Sequence, residues 1–165
     1  MKKGSRLIKQ AREVLEIEAQ GIFDLIERIG PEFEQAVEMI LNSKGRVILT
    51  GIGKSGIIGR KITATFNSTG TPSLFLHPVE AAHGDLGMVT ADDVVIAISN
   101  SGYTKELTDI LPFFKGLGAK LIAFSGDPES PLAEESHLFI NVGVEREACP
   151  LGLAPTASTT AALAM

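Results

Sequence analysis

The sequence predicts an α/β protein: a three-layer α-β-α sandwich on a five-stranded parallel sheet, doubly wound in the order 2-1-3-4-5, with helices at its N-terminus. Three observations carry this expectation. Beyond Gly45 the apolar residues fall in short continuous runs, as in strands buried on both faces. Helix-patterned stretches lie between those runs, the interleaving that parallel crossovers require. The loops after two of the runs are rich in Gly or Ser and open directly into helices, which is where doubly wound sheets bind ligands.

Each element has its own justification. Leu7, Ile8, Ala11, Val14, Leu15, Ile22, Leu25, Ile26 and Ile29 recur at helical spacing, a long amphipathic helix broken at Gly30-Pro31. Pro31 suits the first turn of a second helix carrying Phe33, Val37, Ile40 and Leu41. The strands are Val47–Leu49, Ser73–Leu76, Val94–Ile98, Leu121–Phe124 and Leu138–Val142, each bounded by Gly, Pro, Ser or Asp. Helical stretches fall at 55–68, 104–117 and 131–136, and a last one follows Thr156–Thr160. There is no internal repeat, low-complexity tract or linker. Residues 1–44 read as a helical segment packing on its own domain or on a neighbouring subunit, and 45–165 as the α/β domain.

Composition narrows the function. The chain has 165 residues, 44% hydrophobic and 21% charged, enough for one domain with a core. Fifteen Lys and Arg against 20 Asp and Glu give a net charge of −5, which argues against a nucleic-acid partner. One cysteine, Cys149, excludes an internal disulfide and points to a reducing cytoplasm. The basic N-terminus lacks the apolar core of a signal peptide, and no apolar run reaches the roughly 18 residues that span a bilayer.

Two loops carry the expected chemistry. Thr50-Gly51-Ile52-Gly53-Lys54-Ser55-Gly56 follows the first strand and opens a helix. Its glycines match G-x-G-x-x-G, but the second strand ends at Leu76-His77-Pro78 without the acidic residue a dinucleotide site needs. A nucleotide P-loop fails too, because Ile48 stands in place of its first glycine. What remains is a helix N-terminus with exposed amides beside Lys54 and Ser55, which favours an anion. The second loop, Ser99-Asn100-Ser101-Gly102-Tyr103-Thr104, offers three hydroxyls to a small anion such as phosphate, beyond what a helix cap would need. Thr156-Ala157-Ser158-Thr159-Thr160 could complete the same cradle.

Titratable groups cluster nearby. His77 and His83 flank Glu80 and precede Asp85, a set suited to metal or acid/base work but without zinc-ligand spacing. His137 opens an apolar strand and reads as structural. Glu106 lies in the first turn of the helix after the serine loop, and Glu147 lies beside Cys149 after the fifth strand. Cys149 has no base near it in sequence and reads as a buried, inert thiol.

These residues resemble a family. Ser99-x-Ser101-Gly102-x-Thr104 after a strand is similar to the phosphate signature of sugar isomerase (SIS) domains. GIGKSGIIGRKITATFNSTGTPS (51–73), HPVEAAHGDLGM (77–88), VVIAISNSG (94–102) and EACPLGLAPTASTT (147–160) resemble the arabinose-5-phosphate isomerases in particular. The resemblance implies an aldose–ketose isomerase that interconverts D-ribulose 5-phosphate and D-arabinose 5-phosphate through an enediolate and feeds the Kdo sugar of lipopolysaccharide. It also implies a cytoplasmic tetramer with no required cofactor. It places catalytic function on Lys54, Glu106 and Glu147. Substrate contacts would fall on Ser55, Gly70, Thr71, His77, His83, Ser99, Ser101, Gly102, Thr104, Thr156 and Ser158, with His77 at the position of an inhibitory zinc. Two readings stand beside this one: a non-catalytic module that senses a sugar phosphate, and an isomerase of another phosphosugar.

The chain departs from the family twice. Tyr103 stands where relatives often carry Glu. The chain also stops at Met165 inside an apolar helix without a cap, where relatives continue to a Ser-His-Pro-Gly-Gly segment with a further catalytic histidine and then to paired CBS domains. A shortened SIS domain is the expectation.

Overall fold

The structure, a computed structural model, describes residues 3–165, with side chains from Arg6 onward; the first two residues of the 1–44 segment lie outside the described residues. Two helices come first, α1 (Lys3–Ile26) and α2 (Pro31–Leu41). Strands and helices then alternate: β1 (Val47–Gly51), α3 (Gly53–Ser68), β2 (Ser73–Leu76), α4 (Pro78–Ala82), a 3₁₀ turn (Asp85–Met88) and β3 (Val94–Ile98). After these come α5 (Lys105–Thr108), α6 (Leu111–Leu117), β4 (Lys120–Ser125), α7 (Pro131–Glu135), β5 (Leu138–Asn141) and α8 (Ala157–Ala164). All strand pairs are parallel and the order is β2-β1-β3-β4-β5, as the apolar runs predict.

Every residue of β1 and of β3 is buried, because the two-residue period of a strand sends alternate side chains into two different cores. Ile48, Val95, Ala97, Leu121 and Ala123 face one way and pack with Ala81, Leu107, Ile110, Leu111, Phe114 and Leu132 from α4 to α7. Val47, Leu49, Ile96, Ile98, Ile122 and Ile140 face the other way and pack with Ala36, Ile40, Ile58, Ile62, Phe66 and Ala162 from α2, α3 and α8. Each fully buried aliphatic side chain contributes about 1.5–3 kcal/mol.

Three element boundaries differ most from expectation, the last helix beginning at Ala157 inside the Thr156–Thr160 cluster rather than after it. The stretch 104–117 is two helices, because Pro112 lacks an N–H and stands in the first turn of α6. The first helix ends at Ile26, four residues before Gly30.

Two polar devices fix the strand ends. Asp93, 1% exposed, accepts hydrogen bonds from the Arg46 and Thr90 backbone amides at 2.7 and 2.8 Å and from the Thr90 hydroxyl at 3.1 Å, with the Arg46 guanidinium 3.5 Å away. Burial raises its carboxyl, and these donors outweigh burial and hold it below the usual range. The Arg28 guanidinium donates to Asn141 Oδ1 at 3.3 Å and to the Gly143 carbonyl, tying the end of α1 to the chain leaving β5.

Candidate active site

The carboxyl edge of the sheet gathers the functional loops. β1 and β3 are neighbours, with Gly51 in register with Ile98, so the loops that follow them lie side by side, roughly 5 Å apart at their roots. A Cβ on Gly51 would come within 2.9 Å of the Ile98 carbonyl, and one on Gly56 within 2.7 Å of the Gly51 carbonyl. Only glycine lets the backbone turn this tightly into α3. Gly53, at φ +59°, takes a left-handed conformation in that turn. Ile52 is the N-cap of α3 and supplies no side-chain acceptor. The first amides of a 16-residue helix are therefore left to the solvent beside exposed Lys54 and half-buried Ser55.

The serine loop is held from below. Ser99 donates its amide to the Phe124 carbonyl at 3.0 Å, Gly126 donates to Asn100 at 2.9 Å, and Leu132 donates to Gly102 at 3.3 Å. Ser99 Oγ lies 2.9 Å from Thr104 Oγ1 and accepts from the Gly102 amide at 3.1 Å, while Ser101 Oγ accepts from the Tyr103 amide at 3.3 Å. Thr104 is the N-cap of α5 yet its hydroxyl makes no cap hydrogen bond. The ordinary helix-cap explanation of the hydroxyl cluster therefore fails. Glu106, in the first turn of α5, is exposed on the same edge.

The third hydroxyl group is organised by Glu147. Its Oε2 accepts from the Thr156 amide at 2.7 Å, the Thr156 hydroxyl at 3.0 Å and the Ser158 amide at 3.2 Å, and its Oε1 accepts from the Ser158 hydroxyl. Burial pushes the carboxyl up, but the donors from Ser158 and Thr156 outweigh it and hold Glu147 below the usual range. The carboxylate is thus an ionised cap for α8, and both its oxygens are occupied. Ser55, Asn100, Ser158 and Thr159 line one small cavity with Ile58, Ile98, Val142 and Ala162, about 10 Å³ in volume. That is room for about one water. The cavity nonetheless shows that the loops after β1 and β3 and the start of α8 converge.

The histidines frame α4. His77 is its N-cap, and its Nδ1 accepts from the Val79 amide at 3.3 Å, while Nε2 has no hydrogen-bond partner among the described residues. His83 is the C-cap and is exposed. Among the described residues no three His, Cys, Asp or Glu side chains lie close enough together to hold a metal ion. These residues do not by themselves fit a zinc at His77. His137 is structural, as expected: its Nδ1 accepts from the Leu121 amide at 3.1 Å between β4 and β5.

A family model for the SIS domain matches residues 39–165. The chain belongs to the SIS domain family. Among its relatives, the arabinose 5-phosphate isomerase KdsD of Pseudomonas aeruginosa is 51% identical over 158 residues, covering 96% of this chain and 48% of the relative. The Escherichia coli K12 enzyme of the same name is 55% identical over 154 residues, covering 93% of this chain and 47% of its own. The chain therefore spans about half the length of the curated relatives it matches. Among solved structures, E. coli CFT073 c3406 in complex with arabinose 5-phosphate superposes with a TM-score of 0.92 at 44% identity, covering 99% of this chain and 86% of that one. A Listeria monocytogenes protein described as a candidate sugar-phosphate isomerase gives 0.93 at 33% identity, with the same coverage.

Two expectations for this SIS chain need correction. Gly70 and Thr71 lie between α3 and β2, and Ser73 starts β2 in register with Val47 at the start of β1. A parallel strand puts that loop at the amino edge, roughly 13 Å along a four-residue strand from the loops above. Within one subunit, Gly70 and Thr71 do not join Ser99–Thr104; Thr71 instead lines an apolar groove between α2, α3 and α8. Cys149 is half-buried rather than buried. The backbone amides of Leu153, Ala154 and Leu151 hold its thiol below its usual value. Asn100 and Thr159 also line the shared cavity; both lie in loops the sequence marked but not among the residues named as substrate contacts.

Proposed function

We propose that this chain is the isomerase half of an arabinose-5-phosphate isomerase, interconverting D-ribulose 5-phosphate and D-arabinose 5-phosphate in the service of Kdo and lipopolysaccharide synthesis. The observation that carries the reading is the convergence of the glycine loop, the serine loop and the start of α8 on the carboxyl edge of a fold that superposes on c3406, solved with arabinose 5-phosphate. We also propose that it works in the cytoplasm as a homotetramer. Among the described residues no helix is long and apolar enough to cross a membrane.

The phosphate is held by Ser99, Ser101, Gly102 and Thr104, with Ser55 and the α3 amides beside them. Anchoring that end leaves the carbonyl end to be oriented by the remaining groups. Glu106 takes the proton from C1 of the ketose, the C1–C2 enediolate forms, and the proton returns to C2 while the hydroxyl proton passes from O1 to O2. The substrate is neither oxidised nor reduced overall, so the step requires no redox cofactor. The Lys54 ammonium stabilises the negative enediolate oxygen. His83 orients the sugar hydroxyls or assists ring opening, with His77 alongside it. Glu147 acts through others, as the positioning residue for Thr156 and Ser158.

Turnover of ribulose 5-phosphate tests this directly. Lys54→Ala and Glu106→Gln are each expected to lower kcat/KM by about 100-fold or more, with unchanged circular dichroism. Full activity in both variants would refute the assignment. Binding of a sugar phosphate without any turnover would favour the sensing module instead.

A further inference from the structure

Beneath the serine loop lie two more serines that the proposed reaction does not use. Ser125 ends β4 and Ser130 is the N-cap of α7, and both are fully buried. Neither has a hydroxyl to spare for a ligand. Ser130 Oγ donates to the Asp127 carbonyl at 2.7 Å and accepts from the Ala133 amide at 3.4 Å. Ser125 Oγ donates to the Asn100 carbonyl at 3.4 Å and accepts from the Asp127 amide at 3.3 Å. Both serines face upward onto the backbone between Ser99 and Gly102.

Capping alone does not account for Ser130. The five-residue α7 would be capped as well by Asn or Asp as by Ser, yet this side chain must also fit beneath Gly102. At φ +74° Gly102 aims its missing side chain at Ser130. A Cβ there would overlap both Ser130 Oγ and Ser130 Cβ, and would stand 3.0 Å from Ser125 Oγ. The Gly102 Cα therefore rests directly on Ser130. From Gly102 the contact runs on to the hydroxyls of the loop. Its amide donates to Ser99 Oγ at 3.1 Å, and that oxygen lies 2.9 Å from Thr104 Oγ1. Ser101 is the neighbour of Gly102 in the chain.

The geometry points to Ser130 as a positioning residue for the phosphate. It fixes the height of Gly102, and through Gly102 it sets the Ser99, Ser101 and Thr104 hydroxyls in one arrangement. A displacement of about half an ångström is enough to spoil such a constellation. The smallest of the favoured caps is thus the one that both starts α7 and leaves Gly102 at its place. The inference rests on the phosphate reading proposed above and names the support of that loop.

Titration calorimetry of the purified chain with arabinose 5-phosphate and with inorganic phosphate tests it. Ser130→Gly removes the support and Ser130→Asn crowds it, and both residues still suit the cap of α7. Each variant is expected to raise the Kd of both ligands by about tenfold, the worth of one hydrogen bond to an anion, with the circular dichroism of the parent. Gly102→Ala drives a methyl group into Ser130. It is expected to cost about 100-fold alone but only about tenfold in the Ser130→Gly background, where the smaller neighbour makes room. Unchanged affinity in both Ser130 variants, or costs at the two positions that simply multiply, overturns the support and leaves the phosphate reading standing. A loss for arabinose 5-phosphate without one for inorganic phosphate puts Ser130 at the sugar end and overturns it too. A parent chain that binds neither ligand overturns both proposals.

Discussion

Thr50 shows what a single residue can withhold. Its hydroxyl is fully buried near the end of β1 and, among the described residues, has no hydrogen-bond partner. It shares the face of Ile48, two residues earlier, which looks onto the core under α4 to α7. An unpaired buried hydroxyl costs about 1–3 kcal/mol relative to an apolar group of the same shape. Thr50→Val should therefore stabilise the fold by about 1 kcal/mol, read as a higher urea midpoint with the same slope. A lower midpoint would mean that the hydroxyl has a partner in solution. Other single residues were legible from the sequence. The Ser99–Thr104 hydroxyls were evident because too many of them fall in one short loop for a cap, and His137 because it opens an apolar run. Gly70 and Thr71, expected at the site from the resemblance, lie at the amino edge within one subunit, because a resemblance names residues without saying which end of a parallel strand their loop occupies.

At the scale of elements, α8 depends on a carboxylate outside itself. Its N-cap, Thr156, makes no side-chain cap hydrogen bond, and Glu147 caps the helix from across the preceding loop with both oxygens. Glu147→Gln puts a donor where an acceptor is needed. It should destabilise the protein by about 1–2 kcal/mol in thermal unfolding, apart from any effect on turnover. An unchanged midpoint would contradict the capping role. This link was hidden in the sequence because its members are nine and eleven residues apart and belong to no regular spacing. The strands were legible for the opposite reason: a strand buried on both faces must be largely apolar, as β1 and β3 are at the centre of the sheet, and the edge runs admit only Ser73 and Asn141. The split between α5 and α6 also had a visible signal in Pro112, outvoted by the helical periodicity on either side of it.

For the whole molecule, the titratable groups that the fold engages set how stability responds to acid. Burial, then Lys120 and Lys115, lowers the folded pKa of His137 below its ordinary value. The unfolded chain therefore takes up this proton first, and the neutral ring's contribution, complete above about pH 6.5, is lost as the pH falls through the folded pKa. Glu147 and Asp93 are carboxylates held below their usual range by their donors. Their contribution is full above about pH 4.3 and 3.9 respectively and disappears as the pH falls through the folded values. Acidification should thus weaken the fold in two separate stages, the first below about pH 6.5 and the second below about pH 4. Urea midpoints at several pH values between about 7.5 and 3 would resolve them. His137→Gln should flatten the upper stage and leave the lower one, since its partner, the Leu121 amide, plays no part in the carboxylate networks. A midpoint that rises as the pH is lowered from about 7.5 to 5.5 would show that some other group, gaining a proton on folding, outweighs His137.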